Sequence, residues 1–144
     1  MEGATGVKIR LAAAEDGQQV FPLARAMATS FAVDHASFSV AFAGVLTSDD
    51  AVVLVAEDGD EIVGYLLGFD HMAFYANGRV AYIEEVAVAD ERQGQRIGYR
   101  LMEAFEEWAR ARAAVLVTVA TRRAAAFYLS VGYEETAALY RKIF

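Results

Sequence analysis

Between residues 82 and 119 the chain has the pattern of a strand, a glycine-bearing turn, a helix and a second strand. The segments 82–88 and 115–119 are short and rich in β-branched and apolar residues, as buried strands are. The helix predicted over 98–112 carries one apolar stripe, formed by Leu101, Phe105, Trp108 and Ala109. A strand–helix–strand unit of this kind should be parallel and right-handed, so this half of the chain has few other ways to fold.

The N-terminal part of the chain predicts one strand and two helices. Apolar and basic residues alternate over 7–11, which is the period of a half-buried strand. Pro22 falls in or near the first turn of the first helix, where proline is tolerated. Asp34 is a suitable N-cap for the second helix, which should end at 47–50. The apolar positions at helical spacing are Val20, Ala24, Met27 and Phe31 in the first helix, and Phe38, Phe42, Val45 and Leu46 in the second.

The middle of the chain predicts an antiparallel meander. Strands over 51–57 and 62–69 flank an Asp-Gly-Asp turn, which is a hairpin signal. Asn77-Gly78 marks a second reversal before the strand at 82–88. Further on, a short helix over 124–129 should end at Gly132, and residues 133–144 predict one or two final strands. The elements add up to a mixed α/β domain.

Length, charge and residue usage exclude several classes of protein. The 144 residues, of which 56% are hydrophobic, suit one domain with one core. A net charge of −7 disfavours nucleic acid and anionic membrane as partners and favours a cationic one. The chain has no cysteine, and His35 and His71 have no ligand-spaced companions, so we expect no metal. The acidic N-terminus, without a signal peptide or a spanning segment, predicts a cytoplasmic protein.

The turn at 93–98 predicts a site for an anion. A strand that runs through a glycine turn into a helix presents free backbone N–H groups and the positive end of the helix dipole. Gly94 and Gly98 would let an anion approach, and Gln93, Arg96 and Arg100 could add side-chain donors. The turn lacks the spacing of a P-loop and of a dinucleotide fingerprint. An ordinary tight turn without a ligand is the alternative.

Two motifs carry a family resemblance. The run from Gln93 to Gly98, followed by Leu101-Met102, resembles the Gln/Arg-x-x-Gly-x-Gly/Ala signature of the GNAT superfamily of N-acetyltransferases, although Arg96 occupies the position of a usual glycine. Residues 121–133 resemble the family's Asn-x-x-Ala-x-x-Phe-Tyr-x-x-x-Gly-Phe block, with Thr121 in place of asparagine and Tyr133 in place of phenylalanine. The predicted order of elements agrees over nearly the whole chain and least well over 14–50.

The resemblance implies a fold, a cosubstrate and a binding site. The fold would be α/β (α+β), with a mixed, mostly antiparallel central sheet flanked by helices and a parallel strand–helix–strand unit that forms the acetyl-CoA site. Residues 1–144 would form a single N-acetyltransferase domain. The fourth strand would splay from the fifth, and its backbone would bind the pantetheine arm. The residues that the resemblance assigns to acetyl-CoA are Val86, Ala87, Val88, Gln93, Gly94, Gln95, Arg96, Ile97, Gly98, Tyr99 and Thr121.

The resemblance also points to catalytic residues. Direct attack of an amine on the thioester needs a base, and Glu84 and Glu85 lie at the position of paired acids in polyamine acetyltransferases. Strand alternation puts the two on opposite faces unless a bulge intervenes, and the alignment favours Glu84. Tyr128 lies where many members place the acid that protonates the thiolate of CoA. The alternatives are solvated carboxylates and a core tyrosine.

The acceptor stays open at this stage. It would be a primary amine on a small molecule, a peptide or a protein, and the acidic balance suits polyamines, aminoglycoside-like cations or basic peptides. Members of the family are often dimers, so a homodimer is one expected state. A non-catalytic acyl-CoA-binding or regulatory module and an unrelated phosphate-binding α/β module are the competing functions. Residues at the acceptor positions of the family, for which core packing is the other role, are Phe31, Phe38, Phe42, Phe74 and Tyr75.

Overall fold

The computed structural model describes residues 6–122 and 124–144 and contains five strands and four α-helices in those ranges. The N-terminal residues on which the leader prediction rests, and Arg123 of the second motif, lie outside the described residues. The strands are β1 (Val7–Leu11), β2 (Ala51–Asp58), β3 (Glu61–Ala73), β4 (Gly78–Val88) and β5 (Ala114–Val119). The helices are α1 (Gly17–Met27), α2 (His35–Leu46), α3 (Ile97–Ala111) and α4 (Ala125–Ser130).

The strands form one sheet in the order β1-β2-β3-β4-β5. The first four strands are antiparallel neighbours, and β5 pairs parallel to β4 through the α3 crossover. This is the predicted mixed sheet with one parallel strand–helix–strand unit, and the prediction is confirmed. Helix α3 packs on one face, around the buried Phe105 and Leu101, while α1 and α2 pack on the other, around Val20 and Phe42.

Two predictions for the N-terminal helices were wrong in detail. Helix α1 begins at Gly17 and ends at Met27, so Phe31 lies beyond it and its side chain is exposed. Pro22 consequently lies in the second turn, where it leaves one helical hydrogen bond unmade.

Asp34 caps α2 as predicted, since its Oδ2 accepts a hydrogen bond of 2.8 Å from the Ser37 amide. Phe74 and Tyr75, in the turn between β3 and β4, are exposed and not core residues.

The predicted C-terminal strands are absent from the described chain. Residues 133–144 have no regular secondary structure, and Leu139 and Tyr140 are exposed. The Arg141 Nη1 donates a hydrogen bond of 3.0 Å to the Ser30 Oγ, so the segment passes the loop that follows α1. Apolar patterning gives only a local preference, whereas a strand also needs a neighbour for its backbone hydrogen bonds.

None of the helices in the described ranges has both the length and the apolar character needed to cross a lipid bilayer.

Candidate active site

The sheet opens where β4 and β5 part. Their pairing ends at Ile83 and Val119, and the rest of β4 pairs only with β3. The Ala89 amide donates a hydrogen bond of 2.9 Å to the Val63 carbonyl, on the β3 side. Because backbone groups alternate in direction along a strand, the amides and carbonyls of Val86 and Val88 point into the gap, while those of Ala87 face β3.

A cleft of about 720 Å³ occupies this gap and runs to the start of α3. Its lining consists of residues 27–29, 83–88, 96–99 and 119–122 together with Arg92, Gln93, Gly94, Ala124, Phe127, Tyr128 and Val131. All the residues that the resemblance assigns to acetyl-CoA therefore line the cleft, with the exception of Gln95. That assignment itself stays a prediction.

The turn before α3 leaves the first amides of the helix open to the cleft. Gly94 and Arg96 both have positive φ, +80° and +63° respectively, and Arg96 is the N-cap residue of α3. No side chain among the described residues caps the helix. The first amides of the helix therefore have no intrahelical acceptor and add to its positive dipole end. A Cβ at Gly98 would only touch Phe127 and Val88 at 3.9 Å, so packing within the protein does not require that glycine.

Arginine side chains surround this end of the cleft, although the whole chain is acidic. The Arg96 guanidinium lies 4.3 Å from the centre of the Tyr99 ring. Arg92 forms an ion pair of 2.8 Å with Asp58 and donates from Nε to the Gln95 Oε1 at 3.1 Å, which holds Gln95 away from the cleft. Sequence reasoning missed Arg92 and the exposed Arg122 as lining residues. The argument from the turn covers only 93–98, whereas Arg92 directly precedes the first motif and Arg122 is the second residue of the second motif.

A β-bulge places the paired glutamates. Leu67 pairs with Glu85 and the next residue of β3, Gly68, pairs with Ile83, so Glu84 is the extra residue on β4. Ile83 and Val86 both pack on the α3 face of the sheet, and Glu85 is therefore turned to the α1 and α2 face. Strand alternation predicts opposite faces for Glu84 and Glu85 unless a bulge intervenes, and this bulge is present in the structure.

The two carboxylates have different surroundings. Glu84 is exposed at the cleft, and burial together with the charge of Glu84 raises the pKa of Tyr82. Glu85 is half-buried and its Oε1 accepts a hydrogen bond of 2.7 Å from the Tyr65 hydroxyl. Burial, and then the Glu85 charge, raise the pKa of Tyr65 far above its usual range. Tyr65 is thus a permanent donor that fixes one oxygen of Glu85.

Helix α4 brings Tyr128 to the opposite wall of the cleft. The helix ends in a Schellman motif, in which the Tyr133 amide bonds to the Tyr128 carbonyl at 3.0 Å and Gly132 has a φ of +98°. The Thr121 Oγ1 accepts a hydrogen bond of 3.0 Å from the Ala124 amide at the other end. The Tyr128 ring is buried against Phe127 and Tyr133, and burial raises its pKa.

A second cavity of about 380 Å³ lies on the α1 and α2 face of the sheet. Its described lining is apolar except for Asp34, Ser37, Tyr65 and Glu85. Glu85 lines both this cavity and the cleft, as do Met27 and Ala28 at the end of α1. Helical spacing predicted Phe38 and Phe42 on one face of α2, but it did not indicate that the face borders an open space.

The histidines lie apart from both cavities. His35 packs edge-on against Phe21, with ring centres 4.9 Å apart, and His71 lies beside Tyr82. Neither side chain lines the cleft or the second cavity.

Taken together, the splayed strand pair, the uncapped helix start and the arginines define an α/β domain with an open cleft between two parallel strands, and one end of that cleft has the features of an anion site. The model of the acetyltransferase (GNAT) family matches residues 18–133. The chain belongs to this family, and acetyl transfer from an acyl-CoA is its general class of activity.

Solved structures share the fold over nearly the full length. A transcriptional regulator from Bacillus halodurans C-125 is 25% identical, with a TM-score of 0.87 over 96% of this chain and 99% of that one. Glucosamine-6-phosphate N-acetyltransferase from Arabidopsis thaliana is 22% identical, with a TM-score of 0.84 over 96% and 98%. Ribosomal-protein-alanine N-acetyltransferase from Brucella melitensis biovar Abortus 2308 is 18% identical, with a TM-score of 0.79 over 96% and 99%. No curated protein sequence matches the chain significantly.

Proposed function

We propose that this protein is an N-acetyltransferase that moves the acetyl group of acetyl-CoA to a primary amine by direct attack within a ternary complex. The observation that carries the proposal is the position of Glu85. Its carboxylate borders the cleft beside the open backbone of β4 and also borders the second cavity. A base at such a junction can deprotonate an amine that enters from the second cavity, next to a thioester that enters along the cleft.

The cleft suits acetyl-CoA in size and in chemistry. Its volume of about 720 Å³ falls in the usual range for cofactor sites. The free amides of the first turn of α3, with Arg96 and Arg122 beside them, would hold the phosphates. The open backbone groups of Val86 and Val88 would hold the pantetheine amides. Acetyl-CoA supplies the acetyl group as a reactive thioester.

Glu85 is the better candidate for the base, either directly or through a water molecule. The Tyr65 hydroxyl fixes its Oε1 at 2.7 Å, which leaves Oε2 to take the proton of an ammonium group. The resemblance to the family favours Glu84, but Glu84 is exposed, and the bulge turns Glu85 toward the second cavity. Removing the proton makes the amine nucleophilic, and general bases of this kind contribute roughly 10²–10⁴ in rate.

The remaining steps need donors. An amide in the gap, from Val86 or Val88, would stabilise the negative charge that develops on the carbonyl oxygen, and such a donor is commonly worth about 2.7–4 kcal/mol. Tyr128 would donate its proton to the leaving sulfur. Because burial raises the pKa of Tyr128, its hydroxyl is protonated at neutral pH and ready to donate.

The test is release of the CoA thiol from acetyl-CoA with a panel of primary amines. Amine-dependent release, together with mass-spectrometric detection of the acetylated amine, supports the proposal. Tyr128→Phe should lower kcat by at least about tenfold while leaving the Kd for acetyl-CoA close to its original value. Tight binding of acetyl-CoA without turnover of any amine would point to a non-catalytic acyl-CoA-binding module. Failure to bind acetyl-CoA would contradict both functions.

A further inference from the structure

We infer that the acceptor is a small monoamine with an apolar body and no negatively charged group, such as an arylalkyl or branched alkyl amine. The inference rests on the proposed function and names the chemistry of its second substrate. The site is the second cavity, which is bounded by α1, α2 and the sheet and meets the cleft at Glu85.

The walls of the cavity favour an apolar body. Phe38 and Phe42 stack with ring centres 5.4 Å apart and border the cavity, and Val45 continues this wall along α2. Val53 and Leu67 form the floor on the sheet. A sugar ring placed here would lose its hydrogen bonds to water without gaining replacements. The transfer of an aromatic or branched alkyl group from water into this cavity would be favourable in free energy.

The charged groups around the cavity count against anionic acceptors. No lysine, arginine or histidine occurs among the described residues that line it. A carboxylate or a phosphate on the acceptor would therefore be buried without a cationic partner, which is unfavourable. This excludes free amino acids and sugar phosphates as good acceptors.

The same groups count against polycations. Glu85 is the carboxylate at the junction with the cleft, where the reacting amine belongs. The other acidic side chain in the described lining, Asp34, is exposed to solvent at the start of α2, so its attraction for a second ammonium group is screened. A polyamine would leave its further ammonium groups against Phe38, Phe42 and Val45. The overall charge of −7 attracts polycations to the surface, but the cavity selects a single charge.

The experiment compares kcat/KM for four amines in the thiol-release assay. 2-Phenylethylamine is the expected acceptor, and phenylalanine has the same body with an added carboxylate. Spermidine and glucosamine 6-phosphate represent polycations and sugar phosphates. We expect 2-phenylethylamine to exceed each of the other three by at least about tenfold, because an unpaired buried charge costs more than a lost apolar contact.

A pair of variants on α2 locates the acceptor. Ala41 lines the cavity, and Ala43, which is also exposed on α2, does not. Ala41→Leu should fill part of the space and raise the KM for 2-phenylethylamine by about tenfold without a change in the Kd for acetyl-CoA. Ala43→Leu should leave both constants unchanged.

The outcomes separate this inference from the function on which it rests. Faster turnover of spermidine, phenylalanine or glucosamine 6-phosphate would overturn the inference and leave the acetyltransferase activity established. An equal effect of the two leucine variants on the KM for 2-phenylethylamine would also overturn it. Absence of turnover with every amine, despite binding of acetyl-CoA, would overturn the proposed function and this inference with it.

Discussion

Glu84 and Glu85 are neighbours in the chain, but the bulge in β4 gives them different environments. Glu85→Gln removes the carboxylate that borders the second cavity and is the proposed base, and we expect kcat/KM to fall by roughly 10²–10⁴-fold. Glu84→Gln changes an exposed carboxylate and should cause a much smaller loss. Steady-state kinetics with varied amine and saturating acetyl-CoA checks this, and calorimetry should show acetyl-CoA binding unchanged in both variants. A larger loss in Glu84→Gln would assign the base to Glu84 instead.

Arg96 adopts a left-handed backbone conformation at the N-cap of α3, where glycine has no steric cost. A non-glycine residue pays about 1–2 kcal/mol there, which explains in physical terms why glycine is usual at this place in the motif. We propose that the charge of the Arg96 side chain contributes to ligand binding at the cleft.

Arg96→Gly should therefore separate stability from binding. The unfolding midpoint should be equal or higher, because the backbone strain is relieved, while the Kd for acetyl-CoA should rise by about tenfold. Arg96→Lys keeps the charge and should weaken binding less. Thermal unfolding and calorimetry at low and high salt provide the measurements. Unchanged affinity in Arg96→Gly would show that the arginine merely replaces a dispensable glycine.

Single residues show where sequence reasoning reached its limit at the site. The sequence predicts the turn at 93–98 correctly because glycine spacing is a local signal. For Glu84 and Glu85 it gives the bulge only as the exception to strand alternation. Its occurrence could not be predicted, because it depends on the pairing register with β3. The Tyr65 partner of Glu85 and the Arg92 contact that withdraws Gln95 are also long-range contacts. Nothing in the local pattern encodes them.

Among the elements, α4 depends most on one backbone position. Gly132 ends the helix with a φ of +98°, and a Cβ there would meet no atom within 4 Å, so the cost of a side chain is strain alone. Gly132→Ala should reduce stability by about 1–2 kcal/mol and Tm by about 3–6 °C. It should also lower kcat, since α4 carries Tyr128.

Gly44→Ala in α2 is the matched control for this prediction. Gly44 is helical and also has open space around its Cβ position, so alanine should stabilise the protein slightly through helix propensity. Calorimetric unfolding of the two variants therefore should give shifts of opposite sign. Shifts of the same sign would contradict the role of the Schellman motif.

The elements themselves were largely readable from the sequence. The first strand, the hairpin with its Asp-Gly turn and the helix α3 lie within a few residues of their predicted positions, because their patterns are strong and local. The final segment was misread, since its apolar residues predict strands but pairing with a neighbour decides whether strands form. Periodicity does not predict the cavity between α1, α2 and the sheet, because it identifies an apolar face and says nothing about how closely that face is covered. Only the family resemblance indicates Phe38 and Phe42 as residues that could line an acceptor pocket.

For the molecule as a whole, an ion cluster around Asp70 links the sheet to the end of α3. The carboxylate is fully buried and accepts hydrogen bonds from Arg79 Nη1 at 3.1 Å and from Arg112 Nη2 at 2.9 Å. Burial alone would raise the pKa of Asp70, but the two arginines lower it below its usual value. A lowered pKa means that the stabilisation is present above the unfolded value of about 3.9 and is lost as the pH falls through the folded value.

Asp70→Asn should therefore change both stability and its dependence on pH. At pH 7 we expect a loss of about 3 kcal/mol in the free energy of unfolding, because the half-buried Arg79 and Arg112 lose their buried carboxylate partner. Between pH 7 and pH 3 the variant should lose less further stability than the wild type. Urea unfolding at both pH values checks this. Asp50→Asn, an exposed member of the same cluster, should cost less than about 1 kcal/mol and keep the wild-type pH dependence.

The outer edge of β5 has a consequence for colloidal behaviour. No strand of the described chain pairs with that edge, its residues Ala114–Val119 carry no charge, and Val115 is 56% exposed. Such an edge can template cross-strand association between molecules, and here mutual repulsion from the net charge of −7 opposes it. That repulsion vanishes near the isoelectric point of about 4.8, where Asp70 is still ionised because its pKa is lowered by the neighbouring arginines. On acidification, folded molecules should therefore precipitate before the domain unfolds.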